Sequence, residues 1–277
     1  MRSNDREPPS TSVADSTSPT ADDAPADGTA TDPVGAALDV ALIVMRNGGP
    51  TVLVEQTFNN ILQGFRKAGV SAAWRLDFVA VDDASDPGSS TVLRPVGTVG
   101  MNLARVAAAA TLGTKVARGE IRPAAVAAEV GRINSLPNPY GRLTLIAAAA
   151  AAGAGYSQMF GPDWGALAIA CVAAAVGQFL RSMLQARKLA PAPVTMVCGV
   201  LSASLALGGL RLGLSENAPI VLISSLIYMV PGLVMINGFF DVMSHRHLFV
   251  GLERIANAGF LFLILALAIA LSVSTFT

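Results

Sequence analysis

The sequence predicts an α-helical integral membrane protein with about five transmembrane helices, preceded by a small α+β cytosolic domain and a disordered N-terminal tail. Of its 277 residues, 52% are hydrophobic and only 14% are charged, whereas an ordinary soluble domain is about 25% charged. The charge is also unevenly placed, because residues 143–277 hold only four acidic and six basic side chains. The apolar excess therefore indicates a C-terminal membrane block and not a large soluble core.

The N-terminal tail, residues 1–33, is rich in Ser, Thr, Pro, Asp and Ala and contains no aromatic residue. Such a segment cannot bury enough apolar surface to offset the entropy lost on ordering, so we expect it to be disordered. Residues 1–30 contain no apolar run of the kind found in a signal peptide. We therefore expect the N-terminus to stay in the cytosol.

Residues 34–140 have the mixed periodicity of a compact α+β domain. Apolar residues recur at helical spacing in the first part, and the period then changes to the alternation of a strand. The predicted elements are a helix over 34–46, a helix capped by Thr51 and ending at Gly69, strands over 72–81 and 90–96, and helices over 100–118 and 123–136.

Long apolar runs occupy the transmembrane domain, residues 141–277. The predicted spans are 143–160, 164–183, 193–213, 218–238 and 257–275, each near the roughly 20 residues needed to cross the hydrocarbon core. The first is the weakest, because the alanine run 147–152 contributes little hydrophobicity per residue. Loops rich in basic residues alternate with loops that hold few, so the basic loops share one side of the membrane with the N-terminal domain. This predicts a multi-pass protein of the cytoplasmic (inner) membrane with a cytosolic N-terminus and an external C-terminus.

Several functional classes are excluded or disfavoured. The sequence has no Gly-x4-Gly-Lys-Ser/Thr phosphate loop, so nucleotide-driven transport is not expected. The histidines, His245 and His247, are separated by an arginine and make a poor zinc site. Cys171 and Cys198 lie inside apolar runs and resemble packed small residues. No basic patch is interleaved with aromatic residues, so we expect no nucleic acid partner. With no phosphate loop and no ligand cluster, we also expect no metal and no cofactor.

The most informative stretch lies in the fourth predicted span, where Pro231-Gly232 should break or kink the helix and free backbone polar groups. Irregular backbone at membrane depth is tolerated only when it is buried in protein or faces a watery cavity, and broken helices build the substrate sites of secondary transporters. Asn237 and Asp241 follow four residues apart, hence on one face. The alternatives are a packing kink with a polar helix end, or a solute path lined by the break, Asn237, Asp241 and Gln178.

These residues resemble the N-terminal part of the threonine/serine exporter family, the ThrE-like or YjjP-like proteins. Three segments carry the resemblance, and together they place it over roughly residues 35–275. The segments are Arg46-Asn47-Gly48-Gly49-Pro50-Thr51-Val52-Leu53-Val54-Glu55-Gln56-Thr57, then Gly100-Met101-Asn102-Leu103-Ala104-Arg105 with Arg118-Gly119-Glu120-Ile121, and finally Met229-Val230-Pro231-Gly232-Leu233 with Asn237 and Asp241.

The resemblance implies secondary amino-acid export, the efflux of small hydrophilic solutes such as threonine and serine, or a dicarboxylate such as succinate. It also implies a second membrane half, supplied by a partner subunit, although a homo-oligomer remains an alternative. Gly49, Glu55 and Asn102 belong to the family motif of the cytosolic domain. They are expected to serve that domain's fold or gating.

Two other functions remain open from the sequence. A sensor or scaffold would use the cytosolic domain to bind a ligand or partner and the spans as an anchor. A hydrolase acting near the membrane could use Glu55 with Asp77 or Asp82 as an acid/base pair. The sequence offers no nucleophile or metal cluster to accompany those carboxylates, so we predict no enzyme.

Overall fold

The computed structural model describes residues 32–85, 91–187 and 189–276. The predicted disordered tail falls on residues outside this part, except for its last two. Asp32 and Pro33 already belong to the start of the first helix, because the Asp32 carboxylate accepts the backbone N–H groups of Val34 and Gly35 at 3.0 and 2.9 Å. Pro33 fits the first helical position, which needs no N–H donor.

The described residues contain ten α-helices, a three-stranded sheet and two short 3-10 turns. The N-terminal domain comprises α1 (Pro33–Arg46), α2 (Thr51–Gly64), β1 (Val70–Trp74), β2 (Phe78–Asp83), β3 (Val92–Pro95), α3 (Leu103–Ala117), a 3-10 turn (Pro123–Ala125) and α4 (Val126–Asn134). The helical domain comprises α5 (Arg142–Gln158), α6 (Trp164–Ala186), α7 (Pro191–Arg211), α8 (Ala218–Leu226), a 3-10 turn (Ile227–Met229), α9 (Gly232–Met243) and α10 (Leu248–Phe276).

Helix α1 is the centre of the N-terminal domain. The sequence 40–45 is buried without interruption, more completely than a one-sided amphipathic pattern would require. Helices α2, α3 and α4 pack around it. The sheet contributes Val79 and Val81 to the same core, and Trp74 meets Phe58 of α2 edge to face, with ring centroids 5.5 Å apart.

The sheet is an antiparallel meander in the order β1-β2-β3. The prediction of one strand over 72–81 is wrong, because this range contains the hairpin between β1 and β2, with Ala72 paired to Val81. The turn carries no Gly or Pro to mark it. Glu253 of α10 holds it from outside: its carboxylate pairs with Arg75 and accepts the backbone N–H of Leu76 at 3.2 Å. The predicted returning strand is observed as β3.

Three helices of the described chain are long and apolar enough to cross a membrane: α6, α7 and α10. A fourth span results if α8 and α9, bent by 72° at their break, are taken together. The first predicted span corresponds to α5, which has 17 residues and is about 26 Å long at 1.5 Å per residue. That length is short of a hydrocarbon core of about 30 Å, so the count of five is not confirmed.

Two loops of the helical domain are tied together by Asp163, which also caps α6. Its carboxylate accepts the Ser215 hydroxyl at 2.6 Å, the Ala166 N–H at 2.8 Å and the Asn217 amide at 3.2 Å. The Ser215 hydroxyl and these other donors lower the pKa of Asp163 below its usual value. A lowered pKa means that this contribution to stability is present above the unfolded-state pKa and is lost as the pH falls through the folded-state pKa.

Helices α9 and α10 approach each other closely at two glycines. A Cβ on Gly251 would lie 2.7 Å from the Gly238 carbonyl oxygen and 2.7 Å from the Val242 nitrogen. A Cβ on Gly238 would lie 3.1 Å from the Gly251 carbonyl oxygen. The backbones therefore touch at this crossing, as small residues permit between membrane helices.

We expect Gly251→Ala to destabilise the protein, because the obstructing atoms are backbone and cannot move aside. Overpacking of this kind costs about 1–3 kcal/mol, measurable as a lower midpoint of thermal unfolding in detergent. Gly259→Ala, on the same helix, is the matched control, since a Cβ there meets nothing within 4 Å. Equal midpoints for the two variants would contradict the close crossing.

Candidate functional site

The Pro-Gly break is present where the sequence predicted it. Helix α8 ends in a 3-10 turn, Val230 is extended, and α9 starts at Gly232 in a direction 72° away. Pro231 has no N–H group and cannot continue the helical ladder. The Gly232 N–H bonds to the Val230 carbonyl oxygen at 2.8 Å instead of the helical acceptor four residues earlier.

Arg181 of α6 satisfies a carbonyl group that the break releases. Its Nη1 donates to the Tyr228 carbonyl oxygen at 3.1 Å. In an unbroken helix this oxygen would accept the N–H of Gly232. The terminal carbonyl groups of a helix carry the negative end of its dipole, so a guanidinium is a favourable partner there. Arg181 therefore stabilises the end of the α8 segment.

A cavity of about 510 Å³ lies against the break. Its polar lining includes Arg181 and Gln185 of α6 and Thr195 of α7, and the backbone from Tyr228 to Leu233 forms another wall. The loop segment 99–101 of the N-terminal domain closes it from a further side. The cavity thus lies between the two domains, beside irregular backbone of the kind that is tolerated next to water.

Gln178, predicted to line this region, lies one turn before Arg181 on the same face of α6. Its side chain is nearly buried, and the cavity lining does not include it. Gln178, Arg181 and Gln185 follow at spacings of three and four, which makes a polar stripe along one face of an apolar helix. The stripe leads to the cavity, and Gln178 stands at its inner end.

Tyr228, which lines the cavity, is fixed by contacts with α6 and α7. Its hydroxyl lies 3.0 Å from the Ser202 hydroxyl, which donates in turn to the Ala173 carbonyl oxygen at 3.1 Å. A Cβ on Gly177 would overlap both hydroxyl oxygens. The glycine is therefore needed for Tyr228 to reach its position.

Asn237 and Asp241 share one face of α9, as predicted, and this face meets the start of α2. The Asn237 amide donates to the Gly48 carbonyl oxygen at 2.8 Å. Asn237 also lines a neighbouring cavity of about 240 Å³, together with Gly48 and Asp77. Asp241 is completely buried. Their predicted place on a solute path stays a prediction.

Asp241 supplies the N-terminal cap that the sequence of α2 lacks. The N-cap residue is Pro50, which has no side-chain acceptor. The Asp241 carboxylate accepts the Thr51 backbone N–H at 3.0 Å and its hydroxyl at 2.8 Å. The prediction that Thr51 caps α2 is therefore wrong, because Thr51 is the first helical residue and a donor. A carboxylate at a helix N-terminus also complements the helix dipole.

Arg254 of α10 neutralises this buried carboxylate. Its Nε lies 3.2 Å from Asp241 Oδ2, an ion-pair contact whose alignment is too poor for a hydrogen bond. Its Nη2 donates to the Gly49 carbonyl oxygen at 3.0 Å. Both side chains are at most 6% exposed. The start of α2 thus shares one desolvated ion pair with α9 and α10, about 200 residues further along the chain.

Glu55 contacts two of the three basic residues in the turn between α9 and α10. Its carboxylate lies 3.0 Å from the Arg246 guanidinium and 3.1 Å from His247 Nε2. The interpretation of this His-Arg-His segment as a basic loop at the lipid headgroups missed this contact. His247 is 8% exposed and lies against α2. Among the described residues, no group of three or more His, Cys, Asp or Glu side chains could hold a metal ion.

Gly49 and Asn102 support the loop that precedes α2. A Cβ on Gly49 would lie 2.9 Å from the Val44 carbonyl oxygen, so only glycine permits this close turn. The side-chain oxygen of Asn102 caps α3 by accepting the Arg105 N–H at 3.2 Å. The backbone N–H of Asn102 donates to the Asn47 carbonyl oxygen at 3.2 Å. Both residues thus fix local backbone, and the Gly49 carbonyl oxygen also accepts Arg254.

Sequence reasoning missed Arg181, Tyr228 and Arg254 as site residues. Arg181 and Arg254 counted only as loop cations that set the membrane orientation. The signal that could have revealed Arg181 is the spacing of Gln178, Arg181 and Gln185 inside an apolar helix, since a charged residue within a span indicates a functional site by default. No comparable signal marks Tyr228 or the partners of Arg254.

Long apolar helices, one of them broken beside a cavity, and a mixed domain packed on them are the features of a polytopic membrane protein. The model of the ThrE family, described as "Putative threonine/serine exporter", matches residues 36–276. The chain therefore belongs to the ThrE family, and the resemblance drawn from its motifs is confirmed. Neither a curated protein nor a solved structure matches the chain significantly.

We expect Asp241→Leu to lower stability by roughly 3–5 kcal/mol, because it leaves the Arg254 guanidinium buried without its partner. The double variant Asp241→Leu/Arg254→Leu should lose less than the sum of the two single variants. Denaturant or thermal unfolding in detergent measures all three.

Glu120→Gln is the matched control for this ion pair, since Arg118 and Glu120 form a pair whose side chains are 70% and 50% exposed. Exposed pairs contribute about 0–1 kcal/mol. An Asp241→Leu variant as mild as the control would show that the ion pair does not hold the domains together.

Proposed function

We propose that this chain is a subunit of a secondary transporter that exports small hydrophilic solutes, threonine and serine first, across the cytoplasmic membrane. Membership of the exporter family supports the reaction class. The observation that carries the proposal for the site is the cavity where the broken helix, Arg181 and the N-terminal domain meet. A dicarboxylate such as succinate is the second candidate solute, since it presents the same carboxylate chemistry.

The break provides the polar backbone that an apolar bundle otherwise lacks. Pro231 and Gly232 form the wall of the cavity, and Asn237 lines the adjoining smaller one. Both cavities border the loop segment 99–101. A solute that leaves one cavity for the other would pass this loop, and movement of the N-terminal domain would alter the passage.

The contacts support an orientation with the N-terminal domain in the cytosol. The cavity lining joins that domain to Leu189 in the basic loop between α6 and α7. Arg246, in the turn between α9 and α10, pairs with Glu55 of the same domain. The loops tied by Asp163 lie at the opposite ends of α6 and α7. The basic segments thus share a side, as the positive-inside rule requires of a cytosolic face.

The carboxylate of Glu55 does not favour a hydrolase. It is engaged by Arg246 and His247, which suits a structural contact better than a general base. An anchored sensor would not need a cavity lined by a charged side chain at a helix break. Export therefore accounts for more of the molecule than either alternative.

The first experiment measures the flux of labelled threonine, serine and succinate in vesicles, for this chain alone and together with a second-half membrane subunit of the family. We expect flux only with the second half, and the preferred label identifies the solute. Flux from this chain alone would instead indicate a homo-oligomer. No flux in either preparation, with membrane insertion confirmed, would contradict export and favour a sensor.

The orientation has its own test. A reporter that is active only in the cytosol should be silent when fused after Thr277 and active when fused before Met1. The alternation of basic loops sets this expectation. An active C-terminal fusion would contradict the external C-terminus, and a silent N-terminal fusion would place the N-terminal domain and the cavity on the external side.

A further inference from the structure

Arg181 is a charged side chain without an acidic partner among the described residues. The ion pairs of this part of the chain engage other arginines, notably Arg246 and Arg254. Arg181 is half-buried in α6 and lines the cavity at the break. An unpaired charge in a low-dielectric site is costly, so a charge that stays there indicates a ligand or a path.

The contact with Tyr228 does not use up the guanidinium. An arginine has five N–H donors in a planar fork, and one terminal nitrogen of Arg181, Nη1, donates to the Tyr228 carbonyl oxygen. A neutral carbonyl group also leaves the positive charge uncompensated. The remaining donors belong to a side chain that borders a cavity of about 510 Å³, a volume typical of small-molecule sites.

The other polar side chains of the cavity suit a small zwitterion or acid. Gln185 lies one turn beyond Arg181 on α6, and Thr195 adds a hydroxyl from α7. Among the described lining residues there is no acidic side chain that would favour a cation. A guanidinium matches a carboxylate in two parallel hydrogen bonds, which is a specific and strong arrangement.

We propose that Arg181 binds the carboxylate of the solute, and that the cavity therefore selects small carboxylates over amides or alcohols of the same shape. This inference rests on the proposed function, since it assigns the solute site to the cavity at the break. Arg181 would then hold two groups at once, the Tyr228 carbonyl oxygen and the solute carboxylate. Solute binding would thus be joined directly to the end of the broken helix.

The first test is a binding measurement that needs no transport. The thermal midpoint of the purified chain, with its second-half subunit where flux requires one, is measured with threonine and with threoninol, which replaces the carboxylate by an alcohol. A ligand that binds only the folded state raises the midpoint. We expect a rise with threonine and little or none with threoninol. Equal responses to threonine and threoninol, or no response to any of threonine, serine and succinate, would overturn the proposal.

The second test compares Arg181→Gln and Arg181→Lys with the wild type. We expect Arg181→Gln to weaken threonine binding by at least about tenfold, the loss typical of a hydrogen bond to a charged group. It should also remove the preference for threonine over threoninol. Arg181→Lys keeps the charge but not the fork, and should keep part of the preference. Arg187→Gln, at the exposed end of the same helix, should behave as wild type.

The outcomes separate a ligand role from a merely structural one. If Arg181 only capped the broken helix, its variants would lose stability or maximal flux while KM and the preference for threonine stayed unchanged, and this result would overturn the proposal. Should Arg181→Gln fail to fold, the proposal is still tested by Arg181→Lys and by the preference of the wild type for threonine over threoninol. Wild-type threonine flux with no carboxylate preference would refute this inference alone, whereas absence of all flux would refute the export proposal.

Discussion

The structure depends on one buried carboxylate. Asp241 caps α2 and pairs with Arg254, so one side chain satisfies a helix N-terminus that its own sequence leaves uncapped and a guanidinium that would otherwise be desolvated. Removing one charge of a buried ion pair leaves the other desolvated without a partner, which lowers the stability of the fold. The N-terminal and helical domains therefore cannot separate here without breaking several bonds together.

The break in the helix and this anchor require each other. Asp241 lies ten residues beyond Pro231, at the far end of the short helix α9. Only a bent chain brings it to α2 while α8 stays packed on α5, α6 and α7. The same bend frees the Tyr228 carbonyl group and opens the cavity. Movement of α9 would therefore alter both the cavity and the start of α2, which gives the N-terminal domain a physical connection to the cavity.

The features that were predictable from sequence are those with local causes. Pro231 breaks its helix whatever surrounds it, and the spacing of Asn237 and Asp241 places them on one face. Their partners were not predictable, because Gly48 and Thr51 lie about 190 residues away. The hairpin within 72–81 was missed for the same reason, since Glu253 holds its turn from α10. The count of five spans is not confirmed, because α5 is an alanine-rich helix of 17 residues whose length and composition do not decide whether it crosses the membrane.

The two arginines of the helical domain show why pairing matters more than position. Arg254 is deeper, yet its charge is matched by Asp241 and its Nη2 by the Gly49 carbonyl oxygen, so it has little capacity left for a ligand. Arg181 is less buried, but its partner is a neutral group, the Tyr228 carbonyl oxygen. A matched charge fixes one arrangement of the chain, whereas an unmatched one beside a cavity favours an anionic group brought from outside. The sequence shows both only as positive residues near the ends of predicted spans, and only their contacts distinguish the paired arginine from the unpaired one.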